Sequence, residues 1–286
     1  MHILLIGADG QLGQDLRRAF QQDEVMAVYH HELEISDGAA VRKCVEDAQP
    51  DCIINTAAFH PLEKCQREPA KALAVNAAGA RYLAQAAQRS GVVLVHFSTD
   101  YVFDGRKRSP YVETDTPVPL SIYGISKLAG EWAIQRYCEK HFIIRTSTLF
   151  GPRAPGHGRE NFVARMLRLA DEGKPIRVAS DQTRSPTSTR DLAEKLVPLI
   201  HSQAYGLYHM TNSGGCTWDE FAQEILRQAG LSVEVVATTS QELGIWLRRP
   251  EYSVLDNAAL RAAGSRDLLP WQEALAVYLR ERRKRS

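Results

Sequence analysis

Along the first half of the chain, short apolar runs alternate with longer stretches whose apolar residues recur at helical spacing. The runs are apolar at every position rather than at every second one, which is typical of strands buried on both faces of a parallel sheet. They read HILLIG, EVMAVY, CIINTA and VVLVHFST, and the helical stretches between them read QLGQDLRRAF, DGAAVRKCVEDA and ALAVNAAGARYLAQAAQRSG. This alternation predicts an α/β fold with a doubly wound, Rossmann-type parallel sheet covered by helices.

The regular alternation of strands and helices ends after the apolar run HFIIRTSTLFG. Loops rich in Gly, Pro and Arg, GPRAPGHGRE and SDQTRSPTSTRD, interrupt two helical stretches, NFVARMLRLADEG and TWDEFAQEILRQAG. We therefore predict a sheet domain over residues 1–150 and a smaller lobe over residues 151–286. The two are expected to interleave, because GLYHM in the second half has the composition of a further strand of the main sheet.

Composition and charge narrow the function classes. The 286 residues carry a net charge of +1 and no apolar stretch long enough to cross a membrane, so we expect neither nucleic acid nor a membrane as a partner. The basic tail RERRKRS is interpreted as a solvated, fraying terminus. The five cysteines are scattered, and the N-terminus has no basic signal region. These features predict reduced thiols, no metal site and a cytoplasmic location.

A glycine-rich turn lies between the first strand and the first helix. In GADGQLG, Gly7, Gly10 and Gly13 allow a tight turn and a close approach of the backbone to a ligand. The N–H groups and dipole of the helix N-terminus suit a pyrophosphate. Because the motif stands at the first βα junction, it predicts that the sheet domain binds a dinucleotide.

The end of the second strand bears on the choice between NAD and NADP. An acidic residue there bonds the ribose 2′-hydroxyl of NAD, whereas this chain has Tyr29, His30 and His31 directly after the strand. We expect no carboxylate to repel a 2′-phosphate and two histidines able to hydrogen-bond one. The sequence therefore favours NADPH, with NADH left open, and solvated loop histidines remain the alternative interpretation.

Hydroxyl groups and a lysine are expected to meet at the carboxyl ends of the strands. Ser98 and Thr99 end an apolar strand, and Tyr123 precedes Lys127 by one helical turn in SIYGISKLAG. Thr99 would hydrogen-bond a substrate carbonyl, and Tyr123 would donate a proton to the developing alkoxide. Lys127 would hold the cofactor ribose and lower the pKa of Tyr123 from about 10 toward neutrality. The arrangement predicts carbonyl reduction with Thr99, Tyr123 and Lys127 as catalytic residues.

The motifs GADGQLG, STDYVFDG and YGISKLAGE occur in the order typical of extended short-chain dehydrogenases/reductases. Within that superfamily the chain resembles the dTDP-4-dehydrorhamnose reductase family over nearly its whole length. Further stretches that carry the resemblance are PDCIINTAAFHPLEKCQREPAKALAVNAAGA, IIRTS, NFVARMLRLA, SDQTRSPT, GLYHMTNSG and RRPEYSVLD. The resemblance implies NADPH-dependent reduction of the 4-keto group of a nucleotide-linked 6-deoxyhexulose, the last step to dTDP-L-rhamnose.

The resemblance also implies roles for individual positions. At the cofactor it places Gly7, Gly10, Gln11, Leu12 and Gly13 on the pyrophosphate, Glu34 and Ile35 beside the adenine, and Ala57, Ala58, Phe59 and Asn76 along the cofactor channel. Ser98 is expected at the mouth of the cleft beside the nicotinamide because it lies at the carboxyl end of its strand. At the reaction centre it places Thr99, Asp100, Tyr123 and Lys127, and facing the sugar nucleotide Thr148, Asn161, Gln182, Pro186 and Arg249. An arginine also suits a diphosphate, because its guanidinium matches two phosphate oxygens. A surface salt bridge is the alternative for Arg249.

Three departures from the family bear on the sugar and the oligomer. Thr148 stands where the family usually has a tryptophan near the sugar, and a neighbouring Phe59 or Phe150 is the candidate to fill the space. His60, Leu62 and Glu63 replace the usual residues of their stretch. Asp15 matches a glutamate that contributes to a metal-bridged dimer in some members. A homodimer therefore stays open, without an assumed metal.

Two other functions compete with the reductase. A cofactor-binding regulatory subunit is one, because the β-subunit of methionine adenosyltransferase resembles the same family and keeps the Tyr-x-x-x-Lys pattern. A related epimerase, which would retain oxidised cofactor, is the other. SDQTRSPT and NFVARMLRLA fit the reductases better, so the enzyme is the favoured interpretation.

Overall fold

The computed structural model of the protein describes residues 1–152 and 160–285. The strands are β1 (His2–Ile6), β2 (Glu24–Val28), β3 (Cys52–Asn55), β4 (Val93–Thr99), β5 (His141–Thr146), β6 (Leu149–Phe150), β7 (Ile176–Ala179), β8 (Thr183–Arg184), β9 (Thr187–Ser188), β10 (Gly206–His209), β11 (Cys216–Thr217) and β12 (Val235–Thr238). The α-helices are α1 (Gln11–Ala19), α2 (Gly38–Ala48), α3 (Leu62–Arg67), α4 (Pro69–Leu73), α5 (Gly79–Ser90), α6 (Ile122–Tyr137), α7 (Phe162–Asp171), α8 (Thr189–Ile200), α9 (Trp218–Ala229), α10 (Ala258–Ala262) and α11 (Trp271–Arg285). A π-helical turn, Ala74–Ala78, joins α4 to α5, and a 3₁₀ turn, Asp100–Val102, follows β4.

Six strands form one parallel sheet in the order β2-β1-β3-β4-β5-β10. The predicted doubly wound α/β fold is thereby confirmed, and GLYHM returns to the main sheet as β10. The strand order reverses between β1 and β3, and a ligand crevice forms at the carboxyl ends of strands at such a point. The glycine turn after β1 and the loop after β3 therefore flank the crevice.

Alternate residues of each strand enter two different cores. Ile3, Leu5 and Ile54 pack on one face of the sheet with α1 and α8, whereas Leu4, Ile6 and Ile53 pack on the other with α2 and α5. This two-sided burial explains why the strands are apolar at every position. A third core lies outside the sheet and unites α7, α9 and α11 around Phe221, Trp271 and Leu275.

The predicted loop GPRAPGHGRE falls mostly on residues 153–159, which lie outside the described part of the chain. The basic tail is not frayed as expected, because α11 continues to Arg285. Arg283 donates hydrogen bonds to the carbonyl oxygens of Gln228 and Ala229 at 3.3 and 3.0 Å. These contacts tie the end of the helix to α9.

Asp15 has partners inside the protein. Its buried carboxylate accepts a hydrogen bond from the hydroxyl of Thr189 at 2.6 Å and pairs with Arg18 at 2.8 Å, which ties α1 to α8. Among residues 1–152 and 160–285, no group of His, Cys, Asp or Glu side chains is arranged to hold a metal ion. Within the same residues, no helix combines the length and apolarity that a membrane span requires.

Candidate active site

The glycine turn brings the start of α1 into the crevice. Gly7 has a φ of +80°, which glycine tolerates best, and its carbonyl oxygen accepts the N–H of Gly10 at 3.1 Å. A Cβ on Gly13 would lie 2.4 Å from that oxygen, so this glycine is required by the packing of the turn against the helix. The turn fits a pyrophosphate, because it leaves helix N–H groups directed at the crevice.

Gly10 and Gly13 allow a test that separates cofactor approach from folding. A Cβ on Gly10 would meet nothing closer than 3.4 Å, and its φ of −65° suits any residue. We expect Gly10→Val to fold normally and to lose most of its NADPH affinity, because the new side chain blocks the approach of the phosphates. Gly13→Ala should instead lower the midpoint of thermal unfolding. Calorimetric titration of folded Gly10→Val with NADPH checks the first expectation, and an unchanged affinity would place the phosphates elsewhere.

The turn opens into a cavity of about 500 Å³ that also contains the expected reaction centre. The predicted residues that line it are Gly10, Gln11, Leu12, Gly13, Ala58, Ser98, Thr99, Asp100, Tyr123, Lys127, Thr148 and Arg249. Residues with no earlier assigned role also line it, namely Thr56, Phe97, Tyr101, Thr146, Ser147, Leu149, Arg184 and Trp218, together with His60 and Leu62. One cavity therefore joins the glycine turn to Tyr123 and Lys127.

Tyr123 lies in the first turn of α6. Ser121 caps the helix by accepting the N–H of Gly124, and a Cβ on Gly124 would lie 2.2 Å from the carbonyl oxygen of Tyr101. This close packing seats the Tyr123 ring edge-on against the ring of Tyr101, with 5.9 Å between their centroids. The phenol is thus held at the cavity wall beside Thr99.

The expected lowering of the Tyr123 pKa toward neutrality is not what the structure shows. Burial raises the pKa of Tyr123 above its usual value, and a hydrogen bond with Thr99 only partly opposes the rise. The side-chain nitrogen of Lys127 instead faces the imidazole of His96, with 3.1 Å between Nζ and Nε2. A phenol with a raised pKa stays protonated near neutral pH, which is the state that a proton donor requires.

Beneath the cavity lies a buried ion pair. The Glu131 carboxylate on α6 accepts N–H bonds from Arg145 of β5 at 3.0, 3.2 and 2.7 Å, and it also accepts the hydroxyl of Ser98. Both charged side chains are at most 3% exposed. The pair fixes the orientation of α6 against the sheet, one helical turn beyond Lys127.

Comparison with known proteins agrees with this geometry. The family profile described as the RmlD substrate binding domain matches residues 1–284. The spore coat polysaccharide biosynthesis protein SpsK of Bacillus subtilis is 43% identical over 98% of this chain and 97% of its own. The dTDP-4-dehydrorhamnose reductase of Streptomyces griseus is 40% identical over 95% of this chain and 91% of its own.

The chain belongs to the dTDP-4-dehydrorhamnose reductase family. A crystal structure of the family enzyme from Bacillus anthracis strain Ames, in complex with NADP, superposes with a TM-score of 0.93 at 37% identity over 98% of both chains. The Rossmann-type fold of the extended superfamily is thereby shown for this chain as well.

Several positions that the family resemblance assigned to the cofactor make contacts within the protein. The buried amide of Asn76 lies in the π-helical turn and bonds both the N–H and the carbonyl of Phe59, at 2.8 Å each. Ile35 is buried in a core, while the exposed carboxylate of Glu34 accepts the hydroxyl of Ser36 at 2.9 Å. Within the described residues Ala57, Phe59 and Asn76 do not line the cavity, although they shape the loop that does.

The sugar-nucleotide positions of the family divide between two places. Gln182 and Arg249 line a neighbouring cavity of about 590 Å³, which Arg249 shares with the first one. Pro186 lines neither. Asn161 caps α7 and donates to the side-chain oxygen of Gln11 at 2.9 Å, which ties α7 to the start of α1.

Thr148 lines the cavity in a conformation that threonine rarely adopts, with a φ of +43°. Neither Phe59 nor Phe150 lines the cavity, so the expectation that one of them fills the space is wrong. Phe150 is buried against Phe221 instead. Large apolar side chains that do line the cavity include Phe97 and Trp218, and the ring of Trp218 lies 4.9 Å from the guanidinium of Arg184. Trp218 is the first residue of α9 and had no role assigned from the sequence.

The prediction that no carboxylate lies at the end of β2 is wrong. Glu32 folds back and accepts the N–H of Tyr29 at 2.8 Å, which brings a carboxylate to the end of that strand. His31 stacks on the ring of Tyr29 with 6.0 Å between centroids. Glu32 is the fourth residue after β2, and only the turn brings its carboxylate back to the end of the strand.

Proposed function

We propose that the protein reduces the 4-keto group of dTDP-4-dehydro-L-rhamnose with NADPH and yields dTDP-L-rhamnose. The observation that carries this proposal is the single cavity that joins the glycine turn to Thr99, Tyr123 and Lys127. Full-length similarity to enzymes named for this reaction supports the substrate class. The NADP complex of the Bacillus anthracis enzyme supports NADPH as the cofactor, and NADH stays open as a second donor.

The chain's own residues account for the chemistry around the hydride that NADPH supplies when bound. Gly10, Gln11 and Leu12 would hold the pyrophosphate at the start of α1. The hydroxyl of Thr99 would bond the substrate carbonyl, and the protonated phenol of Tyr123 would give its proton to the oxygen as the alcohol forms. Lys127 would hold the ribose and stabilise the phenolate that remains, by its charge.

The neighbouring cavity is suited to the nucleotide part of the substrate. Arg249 stands where the two cavities meet, and its guanidinium lies 3.0 Å from the carboxylate of Glu63. The ring of Trp246 is 60% exposed and lines the same cavity, where a base could stack on it. The proposal therefore places the diphosphate at Arg249 and the thymidine beyond it. If Arg249→Ala leaves KM unchanged, Arg249 forms a surface salt bridge and does not bind the substrate.

Oxidation of NADPH measured against dTDP-, GDP- and CDP-linked 4-keto-6-deoxyhexoses tests the function. We expect turnover with the dTDP sugar and a lower kcat/KM with the other nucleotides. A folded protein that binds NADPH but reduces none of these sugars, and that co-purifies with a methionine adenosyltransferase, would support the regulatory subunit, which the comparisons do not favour. Tightly retained NAD⁺ in the purified protein would support the epimerase.

The partners and the cellular location are proposed from charge and cysteine chemistry. The near-neutral net charge of +1 offers no general attraction for nucleic acid. The unpaired cysteines support a reducing compartment, and we propose the cytoplasm. A homodimer stays a prediction, and light scattering of the purified protein would measure it.

Position 148 is expected to influence sugar choice. Thr148→Trp should change the ratio of kcat/KM for dTDP-4-dehydrorhamnose to that for the best alternative sugar, because a broad ring would reseat the hexulose beside Tyr123. A displacement of about 1 Å costs on the order of 100-fold in rate. Thr148→Ser, which keeps the hydroxyl, is the matched control. An unchanged ratio in Thr148→Trp would mean that Trp218 and its neighbours select the sugar.

A further inference from the structure

A buried chain of polar groups connects the end of β3 to the lysine of the reaction centre. The N–H of Ala57 donates to Oδ1 of Asn55 at 3.1 Å, and Nδ2 of Asn55 lies 3.0 Å from Nδ1 of His96. Nε2 of His96 then lies 3.1 Å from Nζ of Lys127. Asn55 and His96 are register partners on adjacent parallel strands, and the three side chains are at most 2% exposed. Each donor and acceptor in this series of hydrogen bonds must therefore find its partner within the protein, because burial keeps water away.

The backbone determines the direction of these hydrogen bonds. The N–H of Ala57 can only donate, so it faces the oxygen of Asn55 and leaves the amide NH₂ facing His96. Because an NH₂ group only donates, Nδ1 of His96 must accept, and in a neutral imidazole the hydrogen then lies on Nε2. That N–H is directed at Lys127, whose nitrogen can accept it only as an uncharged amine.

We propose that Asn55 and His96 are positioning residues that couple the charge of Lys127 to the loop after β3. In the arrangement described, they hold Lys127 as a neutral amine. When Lys127 takes a proton from solvent, its N–H donates to Nε2, and the imidazole hydrogen moves to Nδ1. Nδ1 then needs an acceptor, so the Asn55 amide rotates its oxygen toward His96 and releases the N–H of Ala57. The freed N–H lies at the carboxyl end of β3, between Thr56 and Ala58, which line the cavity, so the change alters the loop that a dinucleotide would contact.

The surrounding charges make both states of Lys127 accessible. Burial lowers the pKa of Lys127 to about 8, and Glu131 opposes the fall. Burial and Lys127 keep the pKa of His96 well below its usual value, so the imidazole stays neutral while the lysine titrates. Other titratable groups around this part of α6 are Arg145 of β5, which pairs with Glu131, and Cys65, Asp100 and Tyr101, which surround Tyr123.

The tautomer of His96 is a direct readout that does not depend on activity. In ¹⁵N-labelled protein, with the resonance assigned by comparison with His96→Gln, we expect the hydrogen on Nε2 at pH values above the pKa of Lys127. Below that pKa it should lie on Nδ1, with the ring neutral throughout. A tautomer that stays the same across the titration, or a ring that gains charge, would overturn the proposal. Loss of sugar reduction would count against the proposed function but would leave this measurement valid.

A nearly isosteric substitution tests the consequence for catalysis. Asn55→Asp can still accept the N–H of Ala57, but it also accepts from Nδ1–H and so favours charged Lys127. The high-pH limb of kcat/KM, which reports groups of the free enzyme, should move up by about one pH unit. In a His96→Gln background the same substitution should move the limb clearly less, because the imidazole is gone and only the charge of the new carboxylate still acts on Lys127. Equal shifts in both backgrounds, or a lower rate with no shift, would contradict the coupling. If Asn55→Asp fails to fold, the tautomer titration of the parent decides alone.

Discussion

Replacing Tyr123 with phenylalanine is expected to lower kcat by about 10²–10⁴-fold and to leave NADPH affinity nearly unchanged. The phenol is the protonated group at the cavity wall beside Thr99, and burial keeps its pKa above the usual value. Phenylalanine preserves the ring and therefore its edge contact with Tyr101. The loss should thus reflect the missing proton donor rather than a change in packing.

Tyr137→Phe is the matched control for that experiment. Tyr137 ends the same helix, and its side chain is exposed on the surface. The control should retain parental kcat, KM and thermal stability. If Tyr123→Phe keeps most of its turnover, a different group delivers the proton, and Thr99 would be the next hydroxyl to replace.

The largest expected effect on stability comes from breaking the buried pair beneath the cavity. Arg145→Leu leaves the Glu131 carboxylate without a cationic partner at a position that is 1% exposed. Breaking such a pair typically costs about 3–5 kcal/mol, a large part of the free energy of unfolding of an ordinary protein. We expect a much lower urea midpoint, measured by the loss of helical circular dichroism.

The double variant Glu131→Leu, Arg145→Leu separates charge burial from packing. Replacing both members of a buried pair by apolar residues is often neutral, so the double variant should recover most of the lost stability. A double variant as unstable as Arg145→Leu would show that the guanidinium stabilises the fold by packing, for example against the Phe103 ring 5.2 Å away.

The sequence was sufficient for the features that depend on local pattern. Uniformly apolar strands predicted the two-sided burial that Leu4 and Leu5 show on opposite faces of the sheet. The glycine spacing predicted a turn at the head of α1, and the helical spacing predicted that Tyr123 and Lys127 share a helix. Each of these statements needs only the period of a helix or strand and the conformational freedom of glycine.

Features that depend on contacts between distant segments could not be predicted. His96 lies inside an apolar strand and was interpreted as part of it, although pairing of β4 with β3 brings it to Asn55 and the packing of α6 brings it to Lys127. Nothing in the sequence indicates that Asn161 contacts Gln11. Nothing in it indicates that Glu32 folds back onto Tyr29 either. The pKa of Tyr123 depends on desolvation, which a sequence does not reveal.

Transfer of a deuterium label from the nicotinamide to the sugar would demonstrate 4-keto reduction directly. NADPH deuterated at the transferring position of its nicotinamide ring is incubated with dTDP-4-dehydrorhamnose and the parent enzyme, and the product is analysed by NMR and mass spectrometry. We expect dTDP-L-rhamnose that carries the deuterium at C4, and almost none of it with Tyr123→Phe in the same time. NADPH binding by folded protein without label in the sugar would contradict the assignment as a 4-keto reductase.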